Sequence, residues 1–138
     1  MNRFILTVIL ILTPVGLVFA QIGNEVLGDG AGVSITSGDY NTLIGDNAGT
    51  RLSTGLFNTF VGYNTGSNST SSSDNTFIGY EAGLTNSSGV DNVFVGKSAG
   101  RSNDSGGDGV FIGCDAGHNN TTGPDNVFIG EESGYENT

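Results

Sequence analysis

The sequence predicts an all-β fold, a parallel β-roll or β-solenoid of seven 17-residue repeats. Three observations carry that prediction. A ten-letter unit returns along the chain, as "DNTFIGYEAG" (74–83), "DNVFVGKSAG" (91–100) and "DNVFIGEESG" (125–134). The spacing never slips, since the glycine closing each "IG"-type pair recurs every 17 residues from Gly28 to Gly130. The centre of the unit, Asn-[Thr/Val]-Phe-[Ile/Val]-Gly, is β-branched and aromatic and bounded by glycines, which is strand chemistry. Seventeen residues are too few for a helix pair, and no helical periodicity runs through them.

The first twenty residues stand apart. "MNRFILTVILILTPVGLVFA" places Arg3 in a short polar start, then an apolar run from Phe4 to Leu12. Pro14 and Gly16 follow, with Val18 and Ala20 at the −3 and −1 positions of a cleavage site. That layout predicts a secretory signal peptide over 1–20, hence a secreted or cell-surface protein. An uncleaved anchor helix is the alternative, but Phe4 to Ala20 lies at the short limit of what spans ~30 Å of hydrocarbon. Nothing after residue 20 is apolar enough to span a membrane as a helix. Residues 21–138 are expected to form one repeat domain.

Its repeats start near Asn24, Asn41, Asn58, Asn75, Asn92, Gly109 and Asn126, the last one truncated. Read down the repeats, the chain becomes a set of columns. One holds those Asn residues, with Gly109 as the exception. An apolar column runs Val26, Leu43, Phe60, Phe77, Phe94, Phe111 and Phe128, and beside it Leu27, Ile44, Val61, Ile78, Val95, Ile112 and Ile129. Gly45, Gly62, Gly79, Gly96, Gly113 and Gly130 close the strands, and a second glycine column runs from Gly32 to Gly134. These glycines are expected to supply positive φ at corners and close approach between rungs. Intervening stretches such as "LTNSSGV" and "HNNTTGP" read as turns. Stacked at the ~4.8 Å strand spacing, seven rungs make a rod of about 30 Å.

Alternation along the strand sends Asn, Phe and Gly one way and Thr/Val and Ile/Val the other. Both faces are apolar, and few other apolar residues exist to cover them, chiefly Ala31, Ala48, Ala82, Ala99 and Ala116. One face would stay uncovered in a lone chain. A symmetric oligomer is the expected remedy.

The units "NTFVGYNTG" (58–66), "NTFIGYEAG" (75–83) and "NVFVGKSAG" (92–100) resemble the repeats of trimeric autotransporter adhesin heads and of related phage tail-fibre-like proteins. The resemblance covers 24–138. It implies a left-handed β-roll, a homotrimer, a bacterial source, and an extracellular adhesive or structural role toward a host surface, matrix or glycan. The 17-residue unit is longer than the usual adhesin-head unit, and no coiled-coil stalk, membrane-anchor barrel or chaperone domain is legible here.

Candidate chemistry is sparse. The Asn column (Asn41, Asn58, Asn75, Asn92, Asn126) is expected to be a structural ladder bonded along the rod. Asp74, Asp91, Asp108 and Asp125 form a second column, preceded by Tyr40 and Phe57. Neighbouring carboxylates repel by only ~1 kcal/mol in water, and calcium would relieve that repulsion. However, "GGDGVF" (106–111) begins like a calcium-binding Gly-Gly-x-Gly-x-Asp repeat and puts Phe111 where the Asp belongs. No cofactor or metal site is therefore assigned. Cys114 and His118 share their columns with unlike residues, and one Cys closes no internal disulfide. Asn-x-Ser/Thr sequons begin at Asn68, Asn86, Asn103, Asn119 and Asn120, all in turn segments.

Charge narrows the partners. The chain has 14 Asp plus Glu against 4 Lys plus Arg, and without Arg3 the balance is 3 − 14 = −11. Such a chain repels nucleic acid and anionic membrane surfaces. Identical rungs build no unique asymmetric cleft, so an enzyme is disfavoured. The favoured expectation is a non-enzymatic surface or fibre protein. The alternatives are a calcium-dependent secreted β-roll and a polysaccharide- or ice-binding rod. The last is weakened where Thr42, Thr59 and Thr76 give way to Val93, Val110 and Val127.

Overall fold

A computed structural model describes residues 22–138; the leader expected over 1–20 lies outside them. Each rung contributes one short strand: β1 (Glu25–Leu27), β2 (Thr42–Ile44), β3 (Thr59–Val61), β4 (Thr76–Ile78), β5 (Val93–Val95), β6 (Val110–Ile112) and β7 (Val127–Ile129). All seven join one parallel sheet in chain order. Thr42 pairs with Thr59, Phe60 with Phe77, and Ile112 with Ile129, so every contact repeats at the 17-residue offset. This is the β-solenoid that the repeat predicts, and the described residues contain no helix.

The strands last three residues because a glycine in a conformation closed to other residues ends each one. Gly79 has φ 139°, and a Cβ there would lie 2.7 Å from the carbonyl carbon of Gly96 on the next rung. The position therefore requires glycine twice, for backbone conformation and for rung-to-rung approach. Four residues later a second glycine turns the chain under the Phe ring. At Gly66, φ is 55° and a Cβ would meet the Phe60 ring at 2.6 Å. Its amide still bonds along the rod, donating to the Ala82 carbonyl at 3.0 Å.

The chain closes a core by itself. Leu43, Phe60, Phe77 and Phe94 are wholly enclosed, together with Ala48, Ala82, Ala99 and Leu52. Burying each large side chain contributes roughly 1.5–3 kcal/mol. The Phe rings stack along the axis, Phe60 on Phe77 and Phe77 on Phe94 at 4.8 Å, and Phe94 on Phe111 at 4.6 Å. The Phe face thus finds its cover within one chain, from the alanine column and the returning turn. The other face of the sheet does not.

Two amide ladders line the same interior. In the first, Asn58 Nδ2 donates to Asn41 Oδ1 at 2.9 Å and to the Ser72 carbonyl at 2.8 Å. One side chain so links its rung to the previous one and pins the end of its own coil to the strand start. Asn75 and Asn92 repeat the arrangement. Gly109 interrupts it: its amide still donates to Asn92 Oδ1, but it offers no side chain to Asn126. The second ladder follows Ile35, Leu52 and Ser69 in one column and consists of Asn86, Asn103 and Asn120. Asn103 donates to Asn86 at 2.6 Å, and Asn120 to Asn103 at 3.1 Å. These three are sequon asparagines that the sequence places in turns. Their amides are sealed inside, so a glycan on any of them would have to break the core. Asn68 and Asn119 stay half-exposed.

Candidate functional site

With the Phe face enclosed, the outer face of the sheet is the surface that sets this rod apart. Alternation points two columns outward, one of Glu25, Thr42, Thr59, Thr76, Val93, Val110 and Val127, the other of Leu27, Ile44, Val61, Ile78, Val95, Ile112 and Ile129. From rung two onward every residue in both columns is β-branched and therefore stiff at χ1. The face is uncharged beyond Glu25. Ile44, Ile78 and Ile112 leave about two-fifths of their surface in water, and Leu27 and Ile129 about two-thirds. Three residues' width across seven strands makes on the order of 300 Å² of flat surface. Apolar patches of a few hundred Å² on soluble proteins are often functional.

Aromatic pairs flank the strands on both sides in rungs two to four. Tyr40 and Phe57 stack at 5.3 Å with planes 4° apart, just before the strands. Tyr63 and Tyr80 stack at 5.6 Å and 11°, just after them. All four rings are about half-exposed. Tyr40 and Phe57 have φ of 57° and 58°. Bulky side chains are genuine outliers in that left-handed region. The same column in later rungs is Asp74, Asp91, Asp108 and Asp125, at φ 57–59°. Aspartate tolerates the conformation, so turn geometry accounts for the Asp column.

Those four carboxylates are exposed and strung out one per rung. Among the described residues no three His, Cys, Asp or Glu side chains come together to hold a metal ion. The structural asparagines, glycines and phenylalanines singled out from the sequence sit on the ladders, corners and stack described above. Cys114 is half-buried on the far flank of the sheet, within 3.0 Å of Asp115 Oδ2, whose hydrogen bond raises the thiol pKa. His118 stacks on Tyr135 at 4.8 Å and bonds Asn119.

One ion pair crosses rungs on this surface. Arg101 Nε donates to Glu81 Oε2 at 2.8 Å. That bond is the main cause lowering the Glu81 pKa, while Tyr80, hydrogen-bonded to the same carboxylate, has its own raised. An open cleft lined by Asp115, Glu132, Tyr135 and Glu136 lies at the last rungs.

The aromatic pairs are absent from the sequence-derived candidates. Their signal is the 17-residue spacing of Tyr40 to Phe57 and of Tyr63 to Tyr80, which stacks like residues whatever their type. No helix among the described residues is long and apolar enough to cross a membrane. No family model, curated protein or solved structure matches the chain.

Proposed function

We propose that the chain is the rod of an exported, non-enzymatic structural or adhesive protein whose copies associate through the outer face of the sheet. One observation carries this: a closed coil that keeps two continuous β-branched columns partly in water from Thr42 to Ile129. Two copies sharing only that face would bury on the order of 600 Å² in total, below the size of specific interfaces. A closed ring gives each chain two neighbours instead of one. The resemblance to trimeric adhesin heads selects three copies and a left-handed coil. Export rests on the leader-like start, and the adhesive role on the resemblance.

Sedimentation equilibrium on residues 21–138 tests the association. The expected mass is three chains at micromolar concentration. Ile78→Asp, which places a charge on the outer face without touching the core, is expected to shift the mass toward one chain while the β-type circular dichroism persists. A compact, β-rich species of single-chain mass in the unsubstituted protein overturns the proposal.

A further inference from the structure

The stacked columns show what each outer aromatic pair meets at its open end. Members of a pair belong to successive rungs, so their planes lie across the rod and their free faces look along it. Tyr63 and Tyr80 are followed one rung later by Lys97, and His118 and Tyr135 are preceded one rung earlier by Arg101. Two of the chain's four cations thus stand next to a ring pair in the same column. The Tyr40–Phe57 pair is the exception. Its column continues with Asp74 and Asp91 and contains no cation. Tyr40 covers one face of Phe57; the other looks toward Asp74, and about half of the side chain is in water. Neither the Asp74 nor the Asp91 carboxylate has a hydrogen-bond or ion-pair partner among the described residues.

We propose that the open face of Phe57, with the carboxylates of Asp74 and Asp91, is a docking position for an arginine side chain of a basic partner protein. A ring face attracts a cation, and a guanidinium is planar, so it can lie as the next layer of the Tyr40–Phe57 stack. Its forked donors then reach a carboxylate at the edge of that layer, which a lysine ammonium cannot do while also stacking. Charge complementarity selects the partner. Asp74 and Asp91 continue the ring column, and the net charge of −10 steers a basic protein in. The backbone supports the assignment: Phe57 is held at φ 58° in a column where Asp or Gly fits without strain, so the ring is retained at a conformational cost.

The test titrates residues 21–138 with acetylated di-arginine, di-lysine and di-citrulline amides, following the Phe57 ring and Asp74 amide signals by NMR. Di-arginine is expected to bind most tightly, with an affinity that falls as salt rises, and uncharged di-citrulline not at all. Phe57→Asn is the informative variant, because asparagine suits the left-handed backbone. It is expected to keep or raise the melting temperature while weakening di-arginine binding about two- to fivefold, the range of an exposed cation–π contact. Asp74→Asn is expected to weaken it similarly. Asp125→Asn, which removes the same charge three rungs away, is expected to leave it unchanged. The proposal is overturned if di-arginine does not perturb these signals, if Phe57→Asn binds like the unsubstituted protein, if Asp125→Asn matches Asp74→Asn, or if di-citrulline binds as well as di-arginine.

Discussion

Rungs two to four and rungs five to seven share one backbone and one register, yet they carry different chemistry on both surfaces. Outside, the first group has Tyr40, Phe57, Tyr63, Tyr80 and a threonine column; the second has Asp91, Asp108, Asp125 and a valine column. Inside, the column that begins with Ile35 and Leu52 changes earlier, to Asn86, Asn103 and Asn120 from rung four onward. The Phe stack runs through both groups from Phe60 to Phe111, and the strand-closing glycines through all of both. The difference teaches which positions the coil dictates. The strand-closing positions, where φ is positive and a Cβ would enter the next rung, as at Gly79, are glycine in every rung. Those facing the interior accept either apolar groups or amides that bond along the axis. The outer columns are free to vary, so their variation carries the information about partners.

The largest effect should come from a position that both groups share. Gly79→Val is expected to destabilise the rod by roughly 3–5 kcal/mol, since it combines a forbidden backbone conformation with a clash into the Gly96 peptide. Ser88→Ala, in an exposed turn, should stay within about 0.5 kcal/mol. Thermal unfolding of the two variants checks this, and equal melting temperatures would remove glycine from its corner role.

Next comes the switch in the inner column, at Ser69 and Ser72 of rung three. Both hydroxyls are fully buried without a hydrogen-bond partner. One rung later the same two positions are Asn86 and Gly89, and Asn86 Nδ2 donates to the Gly89 carbonyl at 2.9 Å. The Asn–Gly and Ser–Ser pairs have the same number of side-chain heavy atoms, so each pair fills one space in a different way. Ser69→Asn with Ser72→Gly should therefore stabilise by about 2 kcal/mol, by removing two unsatisfied buried hydroxyls and extending the amide ladder. Ser69→Asn alone should destabilise, because the amide would crowd the Ser72 side chain. A double-mutant cycle in urea measures the coupling. Additive single changes would show that the two positions do not share space.

A gap in the second group offers a smaller gain. Gly109→Asn would restore a side chain between Asn92 and Asn126 and is expected to add about 1 kcal/mol. A lower denaturation midpoint would mean that the space beside Asn92 Oδ1 is too tight.

The smallest effect should be electrostatic and straddles the boundary. Arg101 holds the Glu81 pKa below its usual value, so this bond adds stability that is present above the unfolded-state Glu pKa and lost as pH falls through the depressed one. The pair is partly solvated, so the expected contribution is only about 0.2–1 kcal/mol. Glu81→Gln should lower stability at neutral pH by about that amount and leave it unchanged below the depressed Glu81 pKa, so the acid limb flattens. An identical acid limb would assign the loss to other carboxylates.

Much of this was legible from the letters because a 17-residue period without insertions leaves one solution: like residues stack on like. Strand positions, register, the Phe column and the corner glycines follow from that repetition and from strand chemistry alone. The outer face was half legible. Its columns could be written down, but either face of an Asn-Thr-Phe-Ile strand is apolar enough to lie inside, so the pattern did not say which one the chain would close by itself.

Only the tertiary structure decided that, by folding the alanine column and the returning turn over Phe77 rather than Ile78. It also took Asn86, Asn103 and Asn120 out of what reads as a polar turn and enclosed them. The physical reason is the same in both cases. Asparagine has the same local preferences whether a turn faces water or the core, and its burial becomes favourable only when the rungs above and below supply partners for its amide. The half-exposed rings of Tyr40 and Phe57 belong to this class too, because their backbone conformation is set by the stack of rungs and not by their own residue type.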